Sequence, residues 1–293
     1  MPLKYSAVLC TLHGFGEFRD PAANVWENPN ELLETVAEAG YDGVDLDAEP
    51  DRISADRFHE VYKIATSLGL KVPALLAAWG RGHAGEDRDL ASEDDTLRNY
   101  SISYAKKCVD LSASCGSPCF EICAVPAAGE EYMQPTGSLA VARKTFRKSV
   151  DELATYAESK KVPMIIEAIN RFEGYQGFMN SIADAMDLVD DINSPYLGVL
   201  GDCFHINIED TSITDALVRA GKKLFHVHLA DSNRLAPGTG HIDFLQVIRT
   251  LRAIDYDGYL AVDCVPHLPD WKTSLFHSIK YMKELEKAAD LLG

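Results

Sequence analysis

Residues 162–173 read VPMIIEAINRFE, an apolar run that ends in a carboxylate at Glu167 and is followed by a second carboxylate at Glu173. A run this apolar is typical of a strand buried on both faces in a parallel sheet, rather than of a strand with one face in water. A charge at the end of such a strand must be paired, hydrogen-bonded or bound to a metal, because an isolated buried charge is too costly. The stretch therefore predicts an α/β fold with a polar site at its strand ends.

The rest of the chain alternates between strand and helix patterns. The predicted strands are residues 5–12, 43–47, 70–78, 118–124, 162–167, 197–201, 224–229 and 259–262. The predicted helices are residues 31–39, 55–68, 92–115, 139–159, 182–190, 214–220, 244–253 and 271–291. We expect Asn30 to cap the first helix and Ser92 to cap the third, and Gly40 and Gly69 follow the first two helices as C-terminal glycines do.

Eight strand–helix units favour a single (β/α)8 TIM barrel domain over residues 1–293, in the α/β class. No Gly/Pro-rich linker and no change of composition divides the chain. The alternative is a doubly wound open sheet, but no G-x-G-x-x-G follows the first strand. Residues 79–90 form a polar loop, and loops of this length in compact domains tend to be functional or mobile.

The charge of the chain limits the partners it can bind. The net charge is −17, from 45 acidic against 28 basic residues, which disfavours nucleic acid and anionic membranes as partners. No stretch approaches the ~20 apolar residues of a membrane span, and the first residues show no secretory signal pattern. Seven cysteines do not suggest a disulfide framework, and Cys115, Cys119 and Cys123 are expected to be buried thiols. We expect a cytoplasmic protein.

The last four predicted strands all end in side chains that can bind a metal. Glu167 ends the fifth strand, Asp202 the sixth, His228 the seventh and Asp263 the eighth. Because the active site of a (β/α)8 barrel lies at the carboxyl ends of its strands, these side chains should converge. Each alone reads as a helix cap or an ion-pair partner. Together, three carboxylates and one imidazole suit Mn²⁺, Mg²⁺ or Co²⁺, whereas Zn²⁺ prefers more nitrogen or sulfur.

A second histidine lies on the seventh strand. His226 and His228 are two residues apart and should therefore point to the same side of the strand. Only the residue nearer the carboxyl end reaches the site, which favours His228 as the ligand. His226 is expected deeper, as a barrel-lining residue or as a support for a ligand.

Five stretches of the chain carry a family resemblance. They are residues 40–46 (GYDGVDL), 167–173 (EAINRFE), 201–207 (GDCFHIN), 226–234 with 237–240 (HVHLADSNR and PGTG), and 257–259 (DGY). These stretches resemble the xylose isomerase-like TIM barrel superfamily, and within it the D-tagatose/D-psicose 3-epimerase and hydroxypyruvate isomerase-like group. Together the stretches span nearly the whole chain. The E-x-x-N-R-F-E and D-x-F-H-x-N patterns are the specific ones.

The resemblance implies both a metal site and a substrate site. The implied metal ligands are Glu167, Asp202, His228 and Asp263, and the implied substrate contacts are Glu173, His205 and Arg234. Without the resemblance, Glu173 is interpreted as part of a loop salt bridge, His205 as a helix-capping residue and Arg234 as a surface charge. The implied reaction is proton transfer beside a ketose carbonyl through an enediolate, with Mn²⁺ or Mg²⁺ as the Lewis acid.

The chain departs from the 3-epimerase pattern at one position. In those enzymes two metal-bound glutamates on opposite faces of the reacting carbon act as base and acid. Glu167 matches the first glutamate, whereas Asp263 replaces the second. The aspartate side chain is shorter by about 1.5 Å, and a displacement of about 1 Å is already enough to impair a catalytic group. Asp263 can thus bind the metal without reaching the substrate carbon. His13 or His83 could supply another acid or base, although each also reads as a structural or surface histidine.

Several functions follow from this departure. The expected function is a metal-dependent keto-sugar isomerase or epimerase. The alternative is a lyase on a 3-keto sugar, as in inosose dehydratase-like enzymes and the barrel subunit of C-glycoside deglycosidases. Endonuclease IV shares the barrel, but it uses three zinc ions and binds DNA through basic loops, unlike this acidic chain.

The expected partner is a small unphosphorylated sugar, because no phosphate-binding glycine loop follows the last two strands apart from residues 237–240. We expect a homo-oligomer, with a hetero-oligomer containing a small second subunit as the alternative. A catalytically silent partner subunit is the non-enzyme alternative, and retention of every implied ligand and substrate residue argues against it.

Overall fold

The computed structural model describes residues 2–9, 24–81, 87–126 and 138–292. Eight parallel strands close into a barrel, and helices surround it. The prediction of a TIM barrel is confirmed. Among the described residues no helix is both long enough and apolar enough to cross a membrane.

Strands and helices are numbered in chain order. The strands are β1 (Lys4–Val8), β2 (Gly43–Asp47), β3 (Ala74–Leu76), β4 (Gly80–Arg81), β5 (Asp87–Arg88), β6 (Cys119–Cys123), β7 (Met164–Glu167), β8 (Leu197–Asp202), β9 (Leu224–Leu229) and β10 (Tyr259–Val262). The helices are α1 (Pro29–Ala39), α2 (Ala55–Ser67), α3 (Asp95–Ala113), α4 (Leu139–Lys160), α5 (Ile182–Ile192), α6 (Cys203–Glu209), α7 (Ile213–Ala220), α8 (Phe244–Ala253) and α9 (Trp271–Leu292). Around the barrel the strands follow the order β1-β10-β9-β8-β7-β6-β3-β2.

Two predicted helix caps are wrong by a few residues. Helix α1 begins at Pro29 rather than after Asn30, because proline at the first helical position needs no N–H partner and has a helical φ already. Helix α3 is capped by Asp94, whose carboxylate accepts from the backbone N–H of Thr96, rather than by Ser92. The Ser92 hydroxyl instead accepts from the N–H of Asp94.

A short pair of strands and a short helix were not predicted. The polar loop at residues 79–90 contains β4 and β5, which pair antiparallel outside the barrel. Helix α6 begins directly after β8, with the Asp202 carboxylate accepting from the backbone N–H of Phe204. Both elements lie where the chain leaves the carboxyl end of a barrel strand. They are too short to produce a periodic hydrophobic pattern.

The main hydrophobic core lies between the barrel and its helices. Alternate strand residues such as Val44, Ile166 and Val227 point outward into it. Inside the described part of the barrel, Val8, Ala74, Leu76 and Ala261 form a small apolar cluster. Other inward positions carry buried polar side chains at several levels, among them Ser6, Asp45, Glu121 and His226. The barrel therefore places a polar column directly beneath its carboxyl face.

Candidate metal centre

The four strand-end residues lie together at the carboxyl face of the barrel. Glu167 and Asp202 are the last residues of β7 and β8, His228 is the penultimate residue of β9, and Asp263 directly follows β10. Asp202 and His228 are register partners in neighbouring strands. Parallel pairing of the strands therefore brings together residues that are far apart in the chain. Asp202 and Asp263, for example, are 61 positions apart.

The donor atoms of these residues face a common space. His228 Nδ1 lies 3.6 Å from Glu167 Oε1 and 3.7 Å from Asp263 Oδ2. One donor atom from each of Asp202, His228 and Asp263 lies within 4.8 Å of the others. The same holds for Glu167, Asp202 and His205. Asp202 belongs to both groups, and together the two groups contain all four predicted ligands.

Buried polar atoms without partners mark this space. Asp202 Oδ2 and both ring nitrogens of His228 are buried and have no hydrogen-bond partner in the described part of the chain. A buried polar atom left unpaired costs about 1–3 kcal/mol. A divalent cation would satisfy Asp202 Oδ2 and one nitrogen of His228 at once, and the oxygen-rich donor set suits Mn²⁺ or Mg²⁺. The residues present therefore fit the metal that was expected.

The pKa values of two of these groups reflect the crowding of charges. Burial, reinforced by the charge of Glu167, raises the pKa of Asp202 to about 7. Burial alone would lower the pKa of His228, but Asp45 and Glu167 raise it well above its usual value. Carboxylates held this close repel one another, and a neighbouring positive charge relieves the repulsion.

The three predicted substrate residues form a second cluster beside the first. Arg234 Nη1 donates to Glu173 Oε2 at 2.7 Å, and Nη1 lies 3.5 Å from His205 Nε2. Arg234 Nη2 lies 3.8 Å from Asp263 Oδ2, so the two clusters adjoin. The guanidinium also stacks on Phe204, 4.9 Å from the ring centre. Arg234 is therefore packed into the site, and the reading of it as a surface charge is wrong.

His205 is oriented by Asn170. The side-chain amide of Asn170 donates to His205 Nδ1 at 2.7 Å and the backbone N–H donates at 3.3 Å. Since Nδ1 accepts, the neutral ring carries its proton on Nε2. Burial and the nearby Arg234 charge hold the pKa of His205 well below its usual value. His205 therefore presents an N–H donor, 3.6 Å from Asp202 Oδ2, and the helix-capping role belongs to Asp202 instead.

A buried carboxylate that was not predicted from the sequence lies one layer below the proposed ligands. Glu121 lies on β6, accepts from the backbone N–H of Ala77 at 3.2 Å, and is almost completely buried. Burial and the charge of Glu167 raise its pKa to about 8. Strict alternation along β6 places Glu121 and Cys123 on the inner face, a signal that would have identified both.

The cysteines and two of the histidines named in the sequence analysis remain to be placed. Cys115, Cys119 and Cys123 are free thiols, two of them buried and Cys119 partly so, in agreement with the prediction of structural thiols. His13 and His83 lie outside the described residues.

Fold and site together define a (β/α)8 barrel with a candidate metal centre at its carboxyl face. The chain belongs to the xylose isomerase-like TIM barrel family, whose sequence profile matches residues 33–285.

Sequence relatives include several sugar epimerases. A D-psicose 3-epimerase from Ruminiclostridium cellulolyticum is 26% identical over 263 residues, which cover 88% of this chain and 84% of that protein. A 3-dehydro-D-guloside 4-epimerase from Escherichia coli is 27% identical over 243 residues, covering 81% and 87%. A D-psicose 3-epimerase from Enterocloster bolteae is 40% identical, but over 111 residues that cover 38% of this chain and 36% of the relative. The resemblance to the 3-epimerase group is therefore confirmed.

Solved structures confirm the fold. The structure of a 3-keto-D-glucoside 4-epimerase from Escherichia coli matches with a TM-score of 0.80 at 22% identity, over 97% of this chain and 100% of the other.

Proposed function

We propose that the chain is a divalent-metal-dependent keto-sugar isomerase or epimerase that removes a proton beside a ketone and forms an enediolate. The observation that carries the proposal is the convergence of Glu167, Asp202, His228 and Asp263 around the unpaired, buried Asp202 Oδ2 and His228 Nδ1. A relative named a ketose 3-epimerase and another named a 3-dehydro-D-guloside 4-epimerase support the same chemistry.

The proposed roles follow from position and charge. A bound Mn²⁺ or Mg²⁺, with Co²⁺ as a further candidate, would polarise the substrate carbonyl and stabilise negative charge on its oxygen. The Glu167 carboxylate takes the proton from the carbon beside the carbonyl. The His205 Nε2–H donates to a substrate oxygen, and the paired Glu173 and Arg234 orient the sugar hydroxyls. Asp263 binds the metal and, where it reaches the carbon, returns a proton on the opposite face.

A lyase acting on a 3-keto sugar is the second candidate. It is favoured by the short side chain of Asp263, because an elimination needs one base beside the ketone and no acid on the opposite face. The relative that acts on a 3-dehydro-guloside supports a 3-keto glycoside as substrate but is itself named an epimerase. Epimerisation or isomerisation is therefore the leading proposal.

The proposal also covers the substrate class, the oligomeric state and the cellular compartment. The substrate is a small sugar, the protein assembles as a homo-oligomer, with a hetero-oligomer containing a small second subunit as the alternative, and it works in the cytoplasm. Six cysteines in the described part of the chain are free thiols, which supports a reducing compartment.

Deuterium exchange tests the proposed reaction. The protein is incubated with Mn²⁺ in D₂O with D-psicose, D-tagatose and a 3-keto-glucoside, and products are followed by NMR. We expect deuterium at the carbon beside the carbonyl of at least one substrate, with inversion if the enzyme is an epimerase. Release of water or of an aglycone would establish the lyase, and exchange with none of the substrates would refute proton transfer.

A matched pair of variants ties the exchange to the metal. Asp202→Asn removes a proposed ligand while keeping a side chain that can cap α6, and we expect loss of bound Mn²⁺ and of exchange. Asp243→Asn makes the same change at the cap of α8, where the carboxylate accepts from the backbone N–H of Gln246, and should leave both intact. A parent protein without any bound metal would contradict the proposal.

A further inference from the structure

Asp45 is a fully buried carboxylate inside the barrel that none of the proposed steps uses. It lies in the middle of β2 and has no exposure to solvent. Ser6 Oγ on β1 donates to Asp45 Oδ1 at 2.6 Å, and His226 Nε2 on β9 is hydrogen-bonded to Asp45 Oδ2 at 2.7 Å. These contacts hold the carboxylate in one orientation in the layer below the proposed metal centre.

The ring of His228 lies between that layer and the proposed ligands. Its Nδ1 faces Glu167 Oε1 and Asp263 Oδ2 at 3.6 and 3.7 Å. Its Nε2 faces the other way, 3.8 Å from Asp45 Oδ2. The two ring nitrogens therefore have different surroundings, and neither forms a hydrogen bond within the described part of the chain.

We infer that Asp45 is a positioning residue, which accepts a hydrogen bond from His228 Nε2–H and thereby directs the Nδ1 lone pair at the metal. The inference rests on the proposed function, because it presupposes a metal at that centre. A neutral imidazole carries one proton, so a proton held on Nε2 leaves Nδ1 free to coordinate. Closing the gap to hydrogen-bond range needs a shift of about 0.8 Å.

The same contacts give His226 a role below the proposed metal centre. Its Nε2 is already bonded to Asp45 Oδ2, and its register partner is Leu200, two residues before the end of β8. His226 and Ser6 instead fix the acceptor that His228 needs. Carboxylates that orient metal-binding histidines in this way typically contribute 10–100-fold to metal affinity.

Metal affinity of an isosteric variant tests the inference without an activity assay. Mn²⁺ binding is measured by calorimetry for the parent, for Asp45→Asn and for the control Asp47→Asn. Asp47 is equally buried on the same strand and accepts from Trp26 Nε1 at 2.9 Å, which an asparagine oxygen can still do. We expect affinity about 10–100-fold weaker for Asp45→Asn and close to that of the parent for Asp47→Asn. Equal affinity in all three, or an equal loss in both variants, would overturn the inference.

A double-mutant cycle separates positioning from a general effect on structure. In a His228→Asn background the Asp45→Asn exchange should cause no further loss of Mn²⁺ affinity, because the residue it acts through is gone. A loss as large as in the parent background would show that Asp45 acts by another route.

NMR of the unmutated protein provides a test that does not depend on a variant folding. In protein labelled with ¹⁵N-histidine and saturated with diamagnetic Mg²⁺, His228 should show a protonated Nε2 and an unprotonated Nδ1. The reverse assignment would overturn the inference while leaving the proposed function standing. A protein that binds neither Mn²⁺ nor Mg²⁺ would overturn both.

Discussion

At the scale of single residues, we expect the outcome of the proposed reaction to depend on the length of the Asp263 side chain. Asp263 follows β10 and its Oδ2 lies 3.7 Å from His228 Nδ1 and 3.8 Å from Arg234 Nη2. Both neighbours belong to the proposed ligand and substrate clusters, so Asp263 is placed to bind a metal. The Asp263 side chain is one methylene, or about 1.5 Å, shorter than a glutamate side chain. This difference is larger than the displacement of about 1 Å that already impairs a catalytic group.

We predict that Asp263→Glu increases inversion at the reacting carbon relative to exchange with retention, by about tenfold or more, because the longer carboxylate can act as the second acid or base. The ratio of inverted to retained deuterated product, measured by NMR, checks this. Asp257→Glu adds the same methylene at an exposed position and should leave the ratio unchanged. An unchanged ratio in Asp263→Glu would mean that side-chain length does not decide the outcome.

At the scale of elements, the loop between β9 and α8 is organised around Asp231. The carboxylate accepts from the backbone N–H groups of Ser232, Gly238 and Ile242 at 2.7, 2.8 and 3.1 Å. Burial raises the pKa of Asp231, but these N–H donors bring it below its usual value. The Asp231 carbonyl also accepts from the N–H of Arg234, whose φ is +61°. This loop therefore determines where the Arg234 guanidinium lies.

Gly240 is the tightest point of that loop, because a Cβ there would collide with Asp231 Oδ1 and Ser232 Oγ. We predict that Gly240→Ala lowers kcat/KM by about tenfold to a hundredfold, comparable to the loss of a charge-assisted hydrogen bond, mainly through KM. Mn²⁺ affinity should stay within a few-fold of the parent. Steady-state kinetics and calorimetry measure the two.

Gly69→Ala is the control for a general loss of stability. Gly69 has φ +84° and open space around it, so alanine should cost about 1–2 kcal/mol of folding free energy from backbone strain without changing KM. If Gly240→Ala behaved like Gly69→Ala in both stability and kinetics, the loop would not be positioning Arg234.

At the scale of the whole molecule, the barrel interior accumulates buried acids that destabilise the metal-free fold. Glu121 has a pKa raised to about 8 by burial and by Glu167, against an ordinary value of about 4.3 in an unfolded chain. Between these values the folded protein binds more protons than the unfolded chain. The contribution of Glu121 to stability is therefore fully present below about pH 4 and is lost as the pH rises toward 8.

We predict that Glu121→Gln leaves the stability of the metal-free protein nearly unchanged at pH 4 and raises it by at least about 1 kcal/mol at pH 9, because glutamine keeps the acceptor for the Ala77 N–H without a titrating charge. Urea unfolding in EDTA across this pH range measures the difference. The exposed Glu34→Gln on α1 should show no such pH dependence. A constant difference between Glu121→Gln and the parent would contradict the assignment.

Much of the architecture could be predicted because its signals are local. Apolar runs such as residues 197–201 and 224–229 identify strands buried on both faces, and the glycine at position 40 ends α1 in the left-handed conformation, φ +91°. The caps at Asn30 and Ser92 were misplaced because Pro29 can occupy the first helical position, which moves the cap back to Asn28, and because Asp94 can cap a helix as well as Ser92 can.

The eight-stranded parallel barrel and the four side chains at the ends of its last strands follow from the amino-acid sequence, because hydrophobic periodicity and chain order are properties of short segments. The three-dimensional arrangement was needed to show which atoms face one another: that Glu121 approaches the site from the layer below, that Asp45 lies beneath His228, and that Arg234 turns inward to Glu173. These relations depend on lateral register between strands and on loop conformation. Register pairs residues far apart in the chain, and no periodicity within either strand records it.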